Sequence, residues 1–145
     1  MLPSAVLFAC TMNAVRSPMA AALMRHLTSK GIYVESAGMR VGALDPLAVE
    51  TMEEVGLEIG QHKPRRFEDL EDGSFDLVIT LSPEAQHKAM ELTRTKASRV
   101  EYWPTIDPTA VGGSREQRLA AYRAVRDQLL ERLKKRFSVT SASHT

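Results

Sequence analysis

The residues best equipped for chemistry stand together near the start of the chain. The apolar run Val6-Leu7-Phe8-Ala9 ends on Cys10, the only cysteine among 145 residues. Thr11-Met12-Asn13-Ala14-Val15 follow, then Arg16 and Ser17, and Pro18-Met19-Ala20-Ala21-Ala22-Leu23 opens a helical pattern. That order suits a bound tetrahedral oxyanion. Five residues between Cys10 and Arg16 let the backbone curl into a cup of inward N–H groups, extended by the free N–H groups of the first helical turn. Arg16, at the far lip, can fork onto two oxygens, which a lysine cannot do with the same geometry. Cys10 then lies beneath the central atom as nucleophile. A thiol attacks only as thiolate, and the amides, the positive helix end and Arg16 all stabilise that anion. Ser17 can add a hydroxyl hydrogen bond to the sulfur. Asn13 is the loop residue best able to adopt a left-handed backbone or to tie the loop through its amide. Cys10 and Arg16 are thus the candidate catalytic pair, and Thr11, Met12, Asn13, Ala14, Val15 and Ser17 the candidate substrate cradle.

Such a cup needs a strand to deliver Cys10 and a helix to follow Arg16. Residues 5–9 are apolar enough for a strand buried on both faces of a parallel sheet. Pro18 fits the first helical turn, where its missing N–H costs nothing. The helix is expected to run to about Ser29, burying Met19, Leu23, Met24 and Leu27, with Gly31 closing it. Ile32, Tyr33 and Val34 form a second strand, which Ser36-Ala37-Gly38 ends beside the cup, so Ser36 joins the cradle. Residues 39–44 make a loop over the site. Asp45-Pro46 caps a second helix carrying Leu47, Val49, Met52 and Val55, ended by Gly56.

Residues 60–72 are polar, with Lys63, Arg65 and Arg66 close together, a pattern more typical of a solvated face than of substrate steering. Residues 75–81 form the next strand. Ser82-Pro83-Glu84 caps a helix with Ala85, Ala89, Met90 and Leu92. Residues 99–103 are the fourth strand, and Ser114 starts a long helix with Leu119, Tyr122, Val125, Leu129, Leu130 and Leu133 inward. The pattern predicts one α/β domain over residues 1–137: an open parallel four-stranded sheet, helices on both faces, and the phosphate-binding loop after strand 1. Residues 138–145 have little to bury and are expected to fray.

Ligands of open parallel sheets bind at the carboxyl ends of the strands. The loop after Trp103 belongs on that rim, and its only acidic residue is Asp107, followed by Pro108. If the thiolate attacks a phosphate ester, Asp107 is the candidate acid for the leaving oxygen. A turn or cap would use the same residue.

Composition narrows the partners. Nineteen Lys and Arg against 18 Asp and Glu leave a net charge of +1, which gives no reason to expect nucleic acid or an anionic membrane. One cysteine excludes an internal disulfide framework and favours a reducing compartment, with the cytoplasm as default. The N-terminal apolar run is interrupted by Pro3 and is too short for a signal or a spanning segment. Self-association is not readable from these features.

The stretch from Cys10 to Ser17 resembles the low-molecular-weight protein tyrosine phosphatases and the thioredoxin-coupled arsenate reductases that share their fold. The resemblance recurs at Ser36-Ala37-Gly38, at Phe75-Asp76-Leu77-Val78-Ile79-Thr80 and at Asp107-Pro108, covering about residues 5–137. It implies a cysteine-dependent phosphomonoester hydrolase that passes through a phosphocysteine. Cys10 would be nucleophile, Arg16 the transition-state clamp and Asp107 the acid that later helps activate water. The substrate would be phosphorylated or a free oxyanion, and the chemistry asks for no metal or cofactor. It also places His62 where the family often has a histidine, here expected as a hydrogen-bonded structural residue.

The chain departs from the pattern in several places. Met12 replaces a common glycine, and Val15 a frequent second cysteine. Thr109 with Ala110, and Met39-Arg40-Val41, stand where tyrosine phosphatases carry aromatics. Ser82 stands near the place where the arsenate reductases need another cysteine, so their intramolecular disulfide relay is impossible. The alternatives are an arsenate reductase using an external thiol and redoxin, and a non-catalytic module that binds an oxyanion or a phosphoprotein.

Overall fold

The first strand, β1 (Ala5–Cys10), is buried along its whole length, because parallel partners flank it on both sides. The computed structural model describes residues 2–28, 31–70, 75–93 and 98–137. β2 is Tyr33–Gly38, β3 Leu77–Thr80 and β4 Arg99–Tyr102. The four strands form one parallel sheet in the order β2-β1-β3-β4. The helices are α1 (Arg16–Thr28), α2 (Pro46–Glu53), α3 (Pro83–Leu92) and α4 (Arg115–Phe137). The open parallel four-stranded sheet with helices on both faces is the architecture the sequence predicts.

Alternation along β1 divides the core. Val6, Phe8 and Cys10 face a large cluster with Met19, Leu23 and Met24 of α1, Ala48 and Met52 of α2, and Leu119, Tyr122, Val125, Leu129 and Leu133 of α4. Ala5 and Leu7 face the other way, toward Val78, Phe75 and Ala89 of α3. This is the period-two geometry of a strand covered on both sides. Removing a side chain such as Phe8 from water stabilises the fold by about 1.5–3 kcal/mol.

Several boundaries differ from the sequence reading. β2 continues to Gly38, because Ser36, Ala37 and Gly38 pair with Phe8, Ala9 and Cys10. α1 begins at Arg16 rather than Pro18. α2 ends at Glu53, so Val55 lies beyond it and is exposed, whereas Thr51 is fully buried. A threonine there is satisfied by donating to the Leu47 and Ala48 carbonyls. Met90 is also exposed, at 53%, since α3 reaches its side of the sheet through Ala85 and Ala89. β3 is shorter than expected at both ends. The expected tail, residues 138–145, lies outside the described residues.

The last helix is anchored by charge as well as burial. Glu54, just past α2, accepts from Arg123 and Arg126 of α4, and those bonds hold its carboxyl down at about 2. Among the described residues no helix is long and apolar enough to cross a membrane.

Candidate active site

β1 and β3 carry the chain to the carboxyl edge where the strand order reverses, the usual ligand position in open parallel sheets. Cys10 is the last residue of β1 and Arg16 the first of α1, so residues 11–15 make the whole turn. Asn13 makes that turn possible with φ of 54°, a left-handed conformation that asparagine tolerates better than most residues.

Its side chain is fully buried and fully used. Nδ2 donates to Ser17 Oγ at 2.8 Å and to Ser36 Oγ at 2.9 Å. Oδ1 accepts the Arg65 backbone N–H at 3.0 Å and lies 3.0 Å from His62 Nε2. Because Oδ1 can only accept, His62 is the donor there, carrying its proton on Nε2. Burial holds the His62 imidazole below its ordinary value; the Asn13 backbone beside it opposes that shift and the charge of Arg25 adds to it.

Cys10 is 2% exposed, with its Sγ 2.9 Å from Ser17 Oγ. Asn13 already donates to that hydroxyl, so the serine's one proton has the sulfur as its nearer acceptor and Ala37 O, at 3.4 Å, as the other. Arg16 is buried and held from the far side: Nη1 donates to Thr105 O at 3.0 Å, and Nη2 stands 3.9 Å from Asp107 Oδ2. Asp107 does two jobs. Its Oδ1 accepts from Thr109 N and Oγ1, at 3.0 and 2.7 Å, capping the single turn Pro108–Ala110. Its other oxygen faces Arg16.

Cys10, Arg16 and Asp107 open onto one cavity of about 360 Å³, walled by Met12, Ala14 and Val15, by residues 42–46, and by Thr109. Among the described residues no aromatic ring lines it. Four members of the expected cradle turn their side chains away from this cavity. Asn13, Ser17 and Ser36 lie behind the loop as its brace, and Thr11 turns aside to donate to Ser82 Oγ at 3.1 Å.

Residues 39–45 do more than cover the site. Met39 N donates to Cys10 O and Thr11 O, Arg40 N to Thr11 O, Gly42 N to Met12 O and Asp45 N to Ala14 O, at 2.9–3.2 Å. The segment is a second wall zipped along the loop. Gly38 permits the approach: a Cβ there would lie 2.7–2.8 Å from Asn13 N, Met12 C and Arg40 O. The sequence reading places residues 39–44 as a loop over the site; the hydrogen bonds to the Cys10, Thr11, Met12 and Ala14 carbonyls have no local signal.

Sequence reasoning did not find Arg65 as a brace or Asp45 as a cavity residue, because nothing local marks either. The basic run is largely consumed by pairing: Arg65 contacts Glu35, and Arg66 binds Asp69 through two hydrogen bonds of 3.1 Å.

Comparison with known proteins agrees with this geometry. The model of the family described as low molecular weight phosphotyrosine protein phosphatase matches residues 5–142. The arsenate reductase of Shouchella clausii (strain KSM-K16) is 37% identical over 131 residues, 90% of this chain and 92% of that protein. Among solved structures, an arsenate reductase in the phosphate binding state superposes with a TM-score of 0.77 at 29% identity, over 92% of this chain and 96% of that one. The YwlE arginine phosphatase superposes with a TM-score of 0.71 at 25% identity, over 90% and 91%. The chain therefore belongs to the low molecular weight phosphotyrosine protein phosphatase family and is an enzyme of that superfamily.

Proposed function

We propose that the protein hydrolyses phosphomonoesters through a phosphocysteine. The observation that carries this reading is that Cys10, Arg16 and Asp107 share one cavity, with Asp107 3.9 Å from the clamp arginine. In the first step the Cys10 thiolate forms an S–P bond as the P–O ester bond breaks, and Asp107 gives its proton to the departing oxygen. In the second, Asp107 takes a proton from water as that water attacks phosphorus and the S–P bond breaks, releasing phosphate. Loop amides and Arg16 hold the equatorial oxygens throughout. A cavity extending well beyond the loop leaves room for an alcohol or phenol, and its lack of aromatic rings argues against a preference for phosphotyrosine.

A second reading has its own support: the curated relatives are named arsenate reductases. Cys10 would displace water from arsenate to form an S–As(V) bond. A small thiol would attack the Cys10 sulfur, the S–As electron pair passing to arsenic to release arsenite, and a redoxin would reduce the mixed disulfide. Ser82, not a thiol, stands two residues past β3 as the cap of α3, beside Thr11, and Cys10 is the single thiol of the sequence, so the electrons must come from outside the chain. Asp107 favours hydrolysis, since arsenate reduction has no alkoxide to protonate.

The deciding experiment runs purified protein on an aryl phosphate across pH 5 to 8 and, separately, on arsenate with a small thiol and glutaredoxin, each beside Cys10→Ser. Cysteine-dependent, vanadate-sensitive phosphate release supports the phosphatase. Arsenite formation without phosphate release supports the reductase and overturns the first reading. Phosphate binding with neither activity would leave a binding module.

A further inference from the structure

We infer that Asp45 and Tyr122 are positioning residues of the oxyanion loop, acting through the Ala14 carbonyl; the inference rests on the reading of residues 10–17 as an oxyanion cup. Every peptide bond of the loop is trans, so the C=O and N–H of each peptide plane point in opposite directions. A carbonyl pinned to one side therefore aims the N–H of the next residue to the other. The second wall pins the carbonyls of Cys10, Thr11, Met12 and Ala14. The N–H groups on those same planes belong to Thr11, Met12, Asn13 and Val15, and the trans geometry turns each away from the donor that pins its carbonyl. Among the described residues the wall gives no donor to the Asn13 carbonyl, whose plane follows the residue with positive φ and faces His62 instead. Alternating hand of this kind is what makes successive amides converge on an anion.

The clamp on Ala14 differs from the other three. Met39, Arg40 and Gly42 follow within four residues of the end of β2 and inherit their position from the sheet. Asp45 is placed by its own side chain. Oδ1 accepts Leu47 N at 2.8 Å, which fixes it to α2, and Oδ2 accepts the Tyr122 hydroxyl at 2.5 Å, which fixes it to α4. Tyr122 is 2% exposed in the core. Burial first, then the Asp45 carboxylate, keep its hydroxyl protonated well above the usual phenol range, so it stays a donor at any working pH. Helix α4, more than a hundred residues from the loop in sequence, thereby sets the plane that carries the Val15 N–H, the last loop amide before Arg16.

The test uses the full chain with Tyr122→Phe, which removes one oxygen and keeps the ring, and with Asp45→Asn and Asp45→Ala. Affinities for inorganic phosphate and for vanadate are measured beside the melting temperature. Vanadate can take the five-coordinate geometry that leans hardest on the equatorial amides. Tyr122→Phe should therefore weaken vanadate about fivefold or more, and phosphate less. Asp45→Asn, which keeps an acceptor for Leu47 N, should retain part of the vanadate affinity that Asp45→Ala loses. A brace with only a structural role lowers the melting temperature and leaves the vanadate-to-phosphate ratio unchanged; that result overturns the inference. Should Asp45→Ala fail to fold, Tyr122→Phe decides alone. Wild-type protein that binds neither anion would remove the cup itself, an outcome distinct from loss of the clamp.

Discussion

Asn13 Nδ2 lies 2.9 Å from Ser36 Oγ, joining the loop after β1 to the end of β2. The loop of residues 11–15 is therefore held by the neighbouring strand rather than by its own backbone alone. The same amide reaches Ser17, and Ser17 reaches the Cys10 sulfur, so the brace and the thiol form one buried network. Networks of this kind are costly to satisfy in part.

Asn13→Ala should destabilise the protein by about 3 kcal/mol, combining a left-handed alanine with buried partners left unsatisfied. Asn13→Gly should recover about 1 kcal/mol of that, since glycine accepts positive φ freely. Urea unfolding of the three proteins checks both numbers. Equal losses in the two variants would mean that the backbone at φ 54° carries no strain.

Gly38→Ala places a methyl against three backbone atoms that cannot rotate away. The second wall and the loop must part, at a cost of about 1–3 kcal/mol in stability. Phosphate affinity should fall about tenfold or more, because the amides lose their alignment. Calorimetric titration with phosphate reads this directly, and wild-type affinity in the variant would show that the loop does not depend on the wall.

Asp107→Asn separates acid catalysis from structure. Asparagine can still accept from Thr109 and cap the turn, but cannot protonate a leaving group. Alkyl phosphates should lose about a hundredfold or more in kcat, whereas an aryl phosphate with an acidic phenol should lose far less. Equal losses on both would remove Asp107 from the acid role.

His62 sets a pH dependence of stability. Burial keeps its folded value below the ordinary 6.5, so on acidification the unfolded chain binds a proton that the folded protein refuses. Its contribution is present above about pH 6.5 and is lost as pH falls from there toward the folded value. In His62→Gln, which keeps a side-chain donor, the deficit in melting temperature relative to wild type should shrink between pH 7 and pH 5. A deficit constant across that range would contradict a neutral, half-buried imidazole.

Legibility followed distance along the chain. Residues 10–17 could be read as an oxyanion loop because strand, nucleophile, arginine and helix are neighbours in sequence, and their types and spacing suffice. The parallel sheet followed from the alternation of apolar runs with helical patterns. Met90 and Val55 are exposed although their spacing suggests the core, because an apolar residue at helical spacing is indistinguishable from a core residue until packing decides which face is covered. β2 is longer than its sequence suggests because Ser36-Ala37-Gly38 reads locally as a turn, and pairing with β1 overrides that preference.

By itself, the sequence determined the chemistry on offer: one thiol, one arginine six residues later, an aspartate-proline pair, and α/β periodicity that puts all of them on one rim. Only the tertiary structure decided what holds them there. Asn13 meets Arg65 across 52 positions, Thr11 meets Ser82 across 71 and Asp45 meets Tyr122 across 77. Local propensity carries no signal for such pairs. They exist because burial of the strands and helices brings distant polar groups together out of water, where each must find a partner.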